Sequence, residues 1–130
     1  MVRARRRGTA IVDTPKGILV VSKDRRNFLL PGGGARPNES WQDAAVRELK
    51  EETGLEVVDI AYLFEFTGIT RTGARGGLFK NAHKVFLVTA RGVPKPRQEI
   101  KRVAYYDGSG PKLSYSAREI IERYRSLFNG

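Results

Sequence analysis

The stretch PGGGARPN, residues 31 to 38, packs two prolines and three glycines into eight positions. Proline lacks a backbone donor and glycine resists ordering, so the segment is expected to be a loop that fits inside neither a helix nor a strand. The character of the chain changes directly after it. Ser40 offers an N-cap with Asp43 three residues on, the run to Thr53 is rich in helix formers, and Gly54 supplies a C-terminal stop. The spacing predicts one helix over 40–53, of about four turns.

The segments around this unit read as a mixed α/β chain. RRRGTAIVD and KGILVVSK are β-branched runs parted by the turn signal Thr14-Pro15, and are expected to be a pair of strands, with NFLL a third short piece. EVVDIAYLFEFTGI and HKVFLVTARG are two further strands, which puts His83 at a strand start, and KRVAYYD is another. The Gly- and Arg-rich TRTGARGGLFKNA between them is expected to be a mobile basic loop. SYSAREIIERYRSLF places Ala117, Ile120, Ile121, Tyr124 and Leu127 at helical spacing, a closing amphipathic helix. No repeat, linker or low-complexity tract interrupts the chain, and its 130 residues are expected to form one domain over 1–130.

Composition excludes several classes of function. With no cysteine and one histidine, thiolate metal centres and the usual zinc sites are ruled out. No apolar run reaches the length of a membrane span, and the N-terminus holds no uninterrupted apolar region of a secretion signal, so a cytoplasmic location is expected. The net charge is +10, yet residues 39 to 56 hold six of the fourteen acids against Arg47 and Lys50 alone, so that window carries −4 and the rest +14. A basic body with one acidic spot suits an anionic partner and a bound cation, although an acidic solvated helix face would look the same.

On the helix over 40–53, Glu48, Glu51 and Glu52 stand at i, i+3 and i+4 and share a face. Like charges so placed repel, and an all-oxygen carboxylate set is what Mg²⁺ or Mn²⁺ prefers. Val46 and Leu49 turn elsewhere, as a strip for packing on a sheet. Arg47, one turn before Glu51, can orient that carboxylate.

Gly33, five residues, Glu39, seven residues, then Arg47-Glu48-Leu49-Lys50-Glu51-Glu52-Thr53-Gly54-Leu55 resembles the Nudix box at all nine constrained positions over 23 residues. The resemblance implies an α/β/α sandwich, a mixed sheet flanked by helices. It also implies Mg²⁺-dependent hydrolysis of a diphosphate linked to another moiety, usually a nucleoside, with Mn²⁺ a possible substitute. Carried over, Glu48, Glu51, Glu52 and the carbonyl of Gly32 would hold the metal, while Gly33, Glu39, Arg47 and Gly54 would fix the box. By the same resemblance the general base is either a box glutamate (Glu48, Glu51 or Glu52) or, as in some relatives, a carboxylate from a later loop. Here the candidate is Glu99, although Tyr105 stands where the family often has tryptophan.

Arg5 and Arg7 on the first strand, with Arg71, Arg75 and Lys80 around the basic loop, are the candidates to clamp phosphates. Arg6 on the same strand and Lys84 near the loop belong to the same basic groups, and Trp41 is expected to pack on the sheet edge. His83 has no partner visible in the sequence and is set aside as a catalytic group. The expected partner is an anionic small molecule carrying a diphosphate: a nucleoside triphosphate, a dinucleoside polyphosphate or a nucleotide sugar, handled by a monomer or homodimer. A diphosphoinositol polyphosphate is the alternative substrate. A basic nucleic-acid-binding module is the alternative of another class, resting on charge alone.

Overall fold

The computed structural model describes residues 1–128; the last two positions of the single domain expected over 1–130 lie outside the described residues. The chain runs β1 (Arg3–Ile11), β2 (Asp13–Thr14), β3 (Gly17–Ser22), β4 (Gly32–Gly34), α1 (Trp41–Thr53), β5 (Glu56–Thr67), β6 (Arg71–Thr72), β7 (Leu78–Arg91), β8 (Arg102–Tyr106) and α2 (Tyr115–Phe128). The larger sheet has the order β4-β1-β7-β5, with β6 also paired to β7. Its β1–β7 ladder is parallel and its other ladders are antiparallel, so the sheet is mixed. A smaller antiparallel sheet has the order β2-β3-β8.

Strand alternation sorts the core into two clusters, one on each face of the large sheet. Ile11 and Val85 face Ile120, Ile121 and Tyr124 of α2. Their sequence neighbours Ala10 and Phe86 face Ala45 and Leu49 of α1. The small sheet feeds both clusters, Ile18 and Val20 on one side and Leu19 on the other. The result is the expected α/β/α arrangement. No helix among the described residues is long and apolar enough to cross a membrane.

Both helices form where their sequence signals put them. Ser40 accepts from the Asp43 amide, and Gly54, at φ 80°, donates its N–H to the Lys50 carbonyl. The apolar stripe of α2 is shorter than its sequence suggests: Leu127 is 54% exposed, because the helix runs beyond the core that Tyr124 closes.

Several strand expectations need correcting. The two β-branched runs meet only beside their turn, where Asp13 pairs with Ile18 in the β2–β3 hairpin of the small sheet; the rest of the first run, β1, lies in the large sheet. Of NFLL, only single bridges form, Val21 with Leu29 and Phe28 with Leu113. The glycine run is not wholly loop, since Gly32–Gly34 pairs with Arg7–Thr9 as a short edge strand. An edge needs few donors, and at φ 148° Gly32 brings its backbone against Gly8, where any Cβ would collide. The basic loop is likewise an ordered hairpin, with Arg71 and Thr72 paired to Phe79 and Leu78 across a turn that Gly73 and Gly77 close. Strand β7 therefore begins at Leu78, and His83 lies inside it rather than at its start.

Candidate active site

The acidic face of α1 is organised by Arg47, whose planar guanidinium reaches four partners. Its Nε and Nη2 donate to both oxygens of Glu39 at 2.8 and 2.9 Å, and Nη2 also donates to the Gly34 carbonyl at 3.0 Å. Nη1 donates to Glu48 at 2.7 Å and to Glu51 at 3.3 Å. The arginine thus ties the loop before α1, the edge strand β4 and two of the three carboxylates together. Glu39 is held well below the ordinary carboxylate range, first by Arg47 and then by the Arg36 amide.

The third carboxylate is treated differently. Glu52 is 5% exposed and accepts the Gly32 N–H at 3.0 Å. Burial pushes its carboxyl up to about 7, helped by the negative charge of Glu48 and opposed by Gly32, Lys23 and Arg7. Gly33 leaves the space that Glu48 fills, since a Cβ there would run into its carboxyl group. Glu48 and Glu51 therefore share Arg47, while Glu52 turns to a backbone amide. Among the described residues no three acidic or histidine side chains already stand as a closed metal cluster.

The donor set nevertheless fits a hard dication. It is all oxygen, and it includes a buried carboxyl whose ionisation is opposed both by burial and by Glu48, a tension that added positive charge would relieve. Glu48, Glu51, Glu52 and the Gly32 carbonyl are the groups that could hold it.

The segment between β7 and β8 crosses the C-terminal end of α1. Lys95 and Arg97 donate their amides to the carbonyls of Thr53 and Glu52, which the helix leaves over, and Arg97 Nη1 also reaches the Lys50 carbonyl that the Gly54 cap already holds. Glu99 follows, exposed, 3.4 Å from Lys23 Nζ. Lys23 was not singled out in the sequence, yet it pairs with Glu99 and acts electrostatically on Glu52.

Beside this acidic face, between the large sheet and the start of α2, lies a cavity of about 260 Å³. Arg7, Lys23 and Arg71 supply its cations, and Leu29, Leu30 and Ile120 its apolar wall. Arg7 joins the cavity to the carboxylates: it lines the one, and it feels the charge of Glu52 and Glu48, while burial lowers its own pKa. The other basic candidates are scattered. Arg5 stacks on Phe79 and Arg75 is exposed near the hairpin tip. Lys80 alternates with Asn81 along β7 and so belongs to the α1 side of the sheet, as does Lys84, which sits 4.9 Å over the Trp41 ring. Trp41 itself packs against the α1-side core.

Asn81 and His83 also line the cavity, and the sequence reading missed the one and set aside the other. Their signal was alternation. Phe79, Asn81, His83, Val85 and Leu87 occupy one face of β7, and starting that strand at Leu78 would have revealed two polar residues in a core row.

Comparison with known proteins agrees with this geometry. A family model described as NUDIX domain matches residues 3–112. A Bacillus subtilis protein assigned as an 8-oxo-dGTP diphosphatase is 26% identical over 125 residues, 88% of this chain and 72% of its own. The ADP-ribose pyrophosphatase of Methanocaldococcus jannaschii is 29% identical over 126 residues, 92% of this chain and 72% of its own. Among solved structures, a Chromobacterium violaceum protein assigned to the Nudix hydrolase family superposes with a TM-score of 0.80 at 38% identity, over 98% of this chain and 80% of that one. The chain belongs to the Nudix hydrolase family, enzymes that cleave phosphoanhydride bonds in diphosphate-containing small molecules and in general need a divalent metal ion.

Proposed function

We propose that this chain is a Mg²⁺-dependent pyrophosphohydrolase whose substrate carries a nucleoside on its diphosphate. The observation that carries this reading is Arg7, which joins a small half-apolar cavity to the acidic face of α1. A nucleoside held in the cavity would lead its phosphates past Arg7 towards Glu48, Glu51 and Glu52. When bound there, the cation supplies charge that neutralises phosphate oxygens and acidifies water. Arg7, half-buried, would neutralise a phosphate oxygen at close range, and Arg47 would keep Glu48 and Glu51 oriented. Glu99, which follows the segment crossing α1 and lies 3.4 Å from Lys23 Nζ, would serve as the proton acceptor. Nucleotides and Mg²⁺ are both plentiful in the cytoplasm, which is where we place the reaction.

The size and lining of the cavity favour a nucleoside over a diphosphoinositol polyphosphate. A densely phosphorylated ring needs cations on every side, whereas this wall includes Leu29, Leu30 and Ile120. The relatives named for 8-oxo-dGTP and for ADP-ribose point the same way, since both compounds carry a nucleoside on a diphosphate. The test is a substrate panel of nucleoside triphosphates, dinucleoside polyphosphates, ADP-ribose and a diphosphoinositol polyphosphate, with nucleoside monophosphate, diphosphate and free phosphate quantified separately. Release of a nucleoside monophosphate in Mg²⁺ is expected. Turnover of the inositol compound alone would overturn the reading.

A further inference from the structure

On the α2-facing side of β7, two polar side chains stand in a row that is otherwise core. His83 is 8% exposed, and its Nδ1 lies 2.8 Å from the Thr9 hydroxyl. Its other ring nitrogen, Nε2, is buried with no hydrogen-bond partner among the described residues, and the same holds for Oδ1 of Asn81, two positions earlier on the same face. Buried polar atoms in folded proteins are nearly always paired, so two orphans side by side on one strand call for a partner from outside the chain. Both residues line the cavity beside Arg7.

The chemistry of the two groups limits what that partner can be. Burial and the nearby charge of Arg7 push the His83 ring down to about 4, so at neutral pH it carries one N–H and one lone pair rather than a charge. The Thr9 hydroxyl can donate to or accept from Nδ1, which leaves Nε2 free to take the complementary role. The amide of Asn81 brings an acceptor and donors. An uncharged pair of this kind is poorly suited to phosphate, which the cations of the same cavity serve better. It matches a planar edge that places a hydrogen-bond donor beside an acceptor, with Leu29, Leu30 and Ile120 available to cover the faces of a flat ring.

We propose that Asn81 and His83 are the specificity-determining residues of the site, hydrogen-bonding the donor–acceptor edge of the substrate's nucleobase through Asn81 Oδ1 and His83 Nε2. This rests on the proposed nucleoside substrate and adds which groups choose among bases. Thr9 acts as a positioning residue, fixing the histidine ring.

The test compares the parent with Asn81→Leu and His83→Phe on ATP, GTP, CTP and UTP and on a purine ribonucleoside triphosphate lacking exocyclic groups. The parent is expected to favour one base and to lose on the order of 100-fold in kcat/KM when that base's edge groups are removed. Each variant should lose that preference through a KM increase of about tenfold or more on the preferred nucleotide, so that its kcat/KM values for the four nucleotides converge. Because Asn81→Leu deletes a buried orphan at nearly constant volume, its Tm without ligand should hold or rise, where a structural role for the amide would lower it. Binding of AMP, GMP, CMP and UMP, measured calorimetrically without metal, supplies a readout independent of turnover. If the parent cleaves none of the panel yet binds one monophosphate in an Asn81-dependent way, the reaction assignment fails and the base-reading pair stands. Unchanged base preference and unchanged monophosphate binding in both variants, or no monophosphate binding by the parent, would overturn the proposal.

Discussion

Glu52 is the carboxylate whose surroundings fit its charge least: it is nearly sealed from water, held by a single backbone amide and faced by Glu48. Between the ordinary 4.5 and about 7, the folded chain keeps a proton that the unfolded chain has lost. The contribution of this group to metal-free stability therefore falls as pH rises through that window and levels off above it. His83 acts with the opposite sign. Its folded value of about 4 lies below 6.5, so its contribution is complete above 6.5 and is lost as pH falls towards 4. Comparing Glu52→Gln with the parent cancels the histidine. Without metal, the variant should gain on the parent as pH rises from 5 to 8, by on the order of 3 kcal/mol in denaturant unfolding, and added Mg²⁺ should narrow the gap. A difference that stays constant with pH would show that Glu52 is not strained in the fold. The roles of Glu48, Glu51 and Glu52 as a set were legible from their i, i+3, i+4 spacing. Their unequal treatment was not, because it depends on where the Gly32 amide and the Arg47 guanidinium arrive from outside the helix.

At the level of elements, the close seating of α1 on β1 decides whether the carboxylates meet the sheet at the right place. A Cβ on Gly8 would collide with the backbone of Trp41 and Ala45, atoms that cannot rotate away, so Gly8→Ala should cost about 3 kcal/mol of stability and displace the N-terminal turn of α1. Circular dichroism melts of that variant check it, and a Tm equal to the parent's would contradict the packing. The β6–β7 hairpin separates two arginines that a loop reading groups together. Arg71 lines the cavity, whereas Arg75 is exposed near the tip. Arg71→Ala should raise KM for a nucleoside triphosphate severalfold, on the order of 1 kcal/mol in kcat/KM, with Arg75→Ala close to the parent. Equal effects of the two would restore the mobile-clamp picture. Helices α1 and α2 were readable because caps and apolar stripes are local signals. Edge strand β4 and the crossing of the chain from β1 to β2 were not, since both are set by pairing partners far along the chain: β1 for the first, and β7 and β8 for the sheets into which the crossing chain divides.

Across the whole molecule, a body carrying +14 outside residues 39 to 56 surrounds a segment carrying −4, in which Glu48, Glu51 and Glu52 share one helix face. The positive body draws in an anionic substrate, and the acidic face stays unfavourable to it until a cation is present. That division of charge makes metal dependence the central claim of the account. The most direct measurement is turnover of the preferred nucleotide by the parent in Mg²⁺, in excess chelator, and after Mg²⁺ is restored, with Glu51→Gln run alongside. Activity is expected to vanish with chelator and to return with Mg²⁺, and Glu51→Gln should lie about two or more orders of magnitude below the parent while remaining folded. Full turnover by the parent in excess chelator would contradict the account.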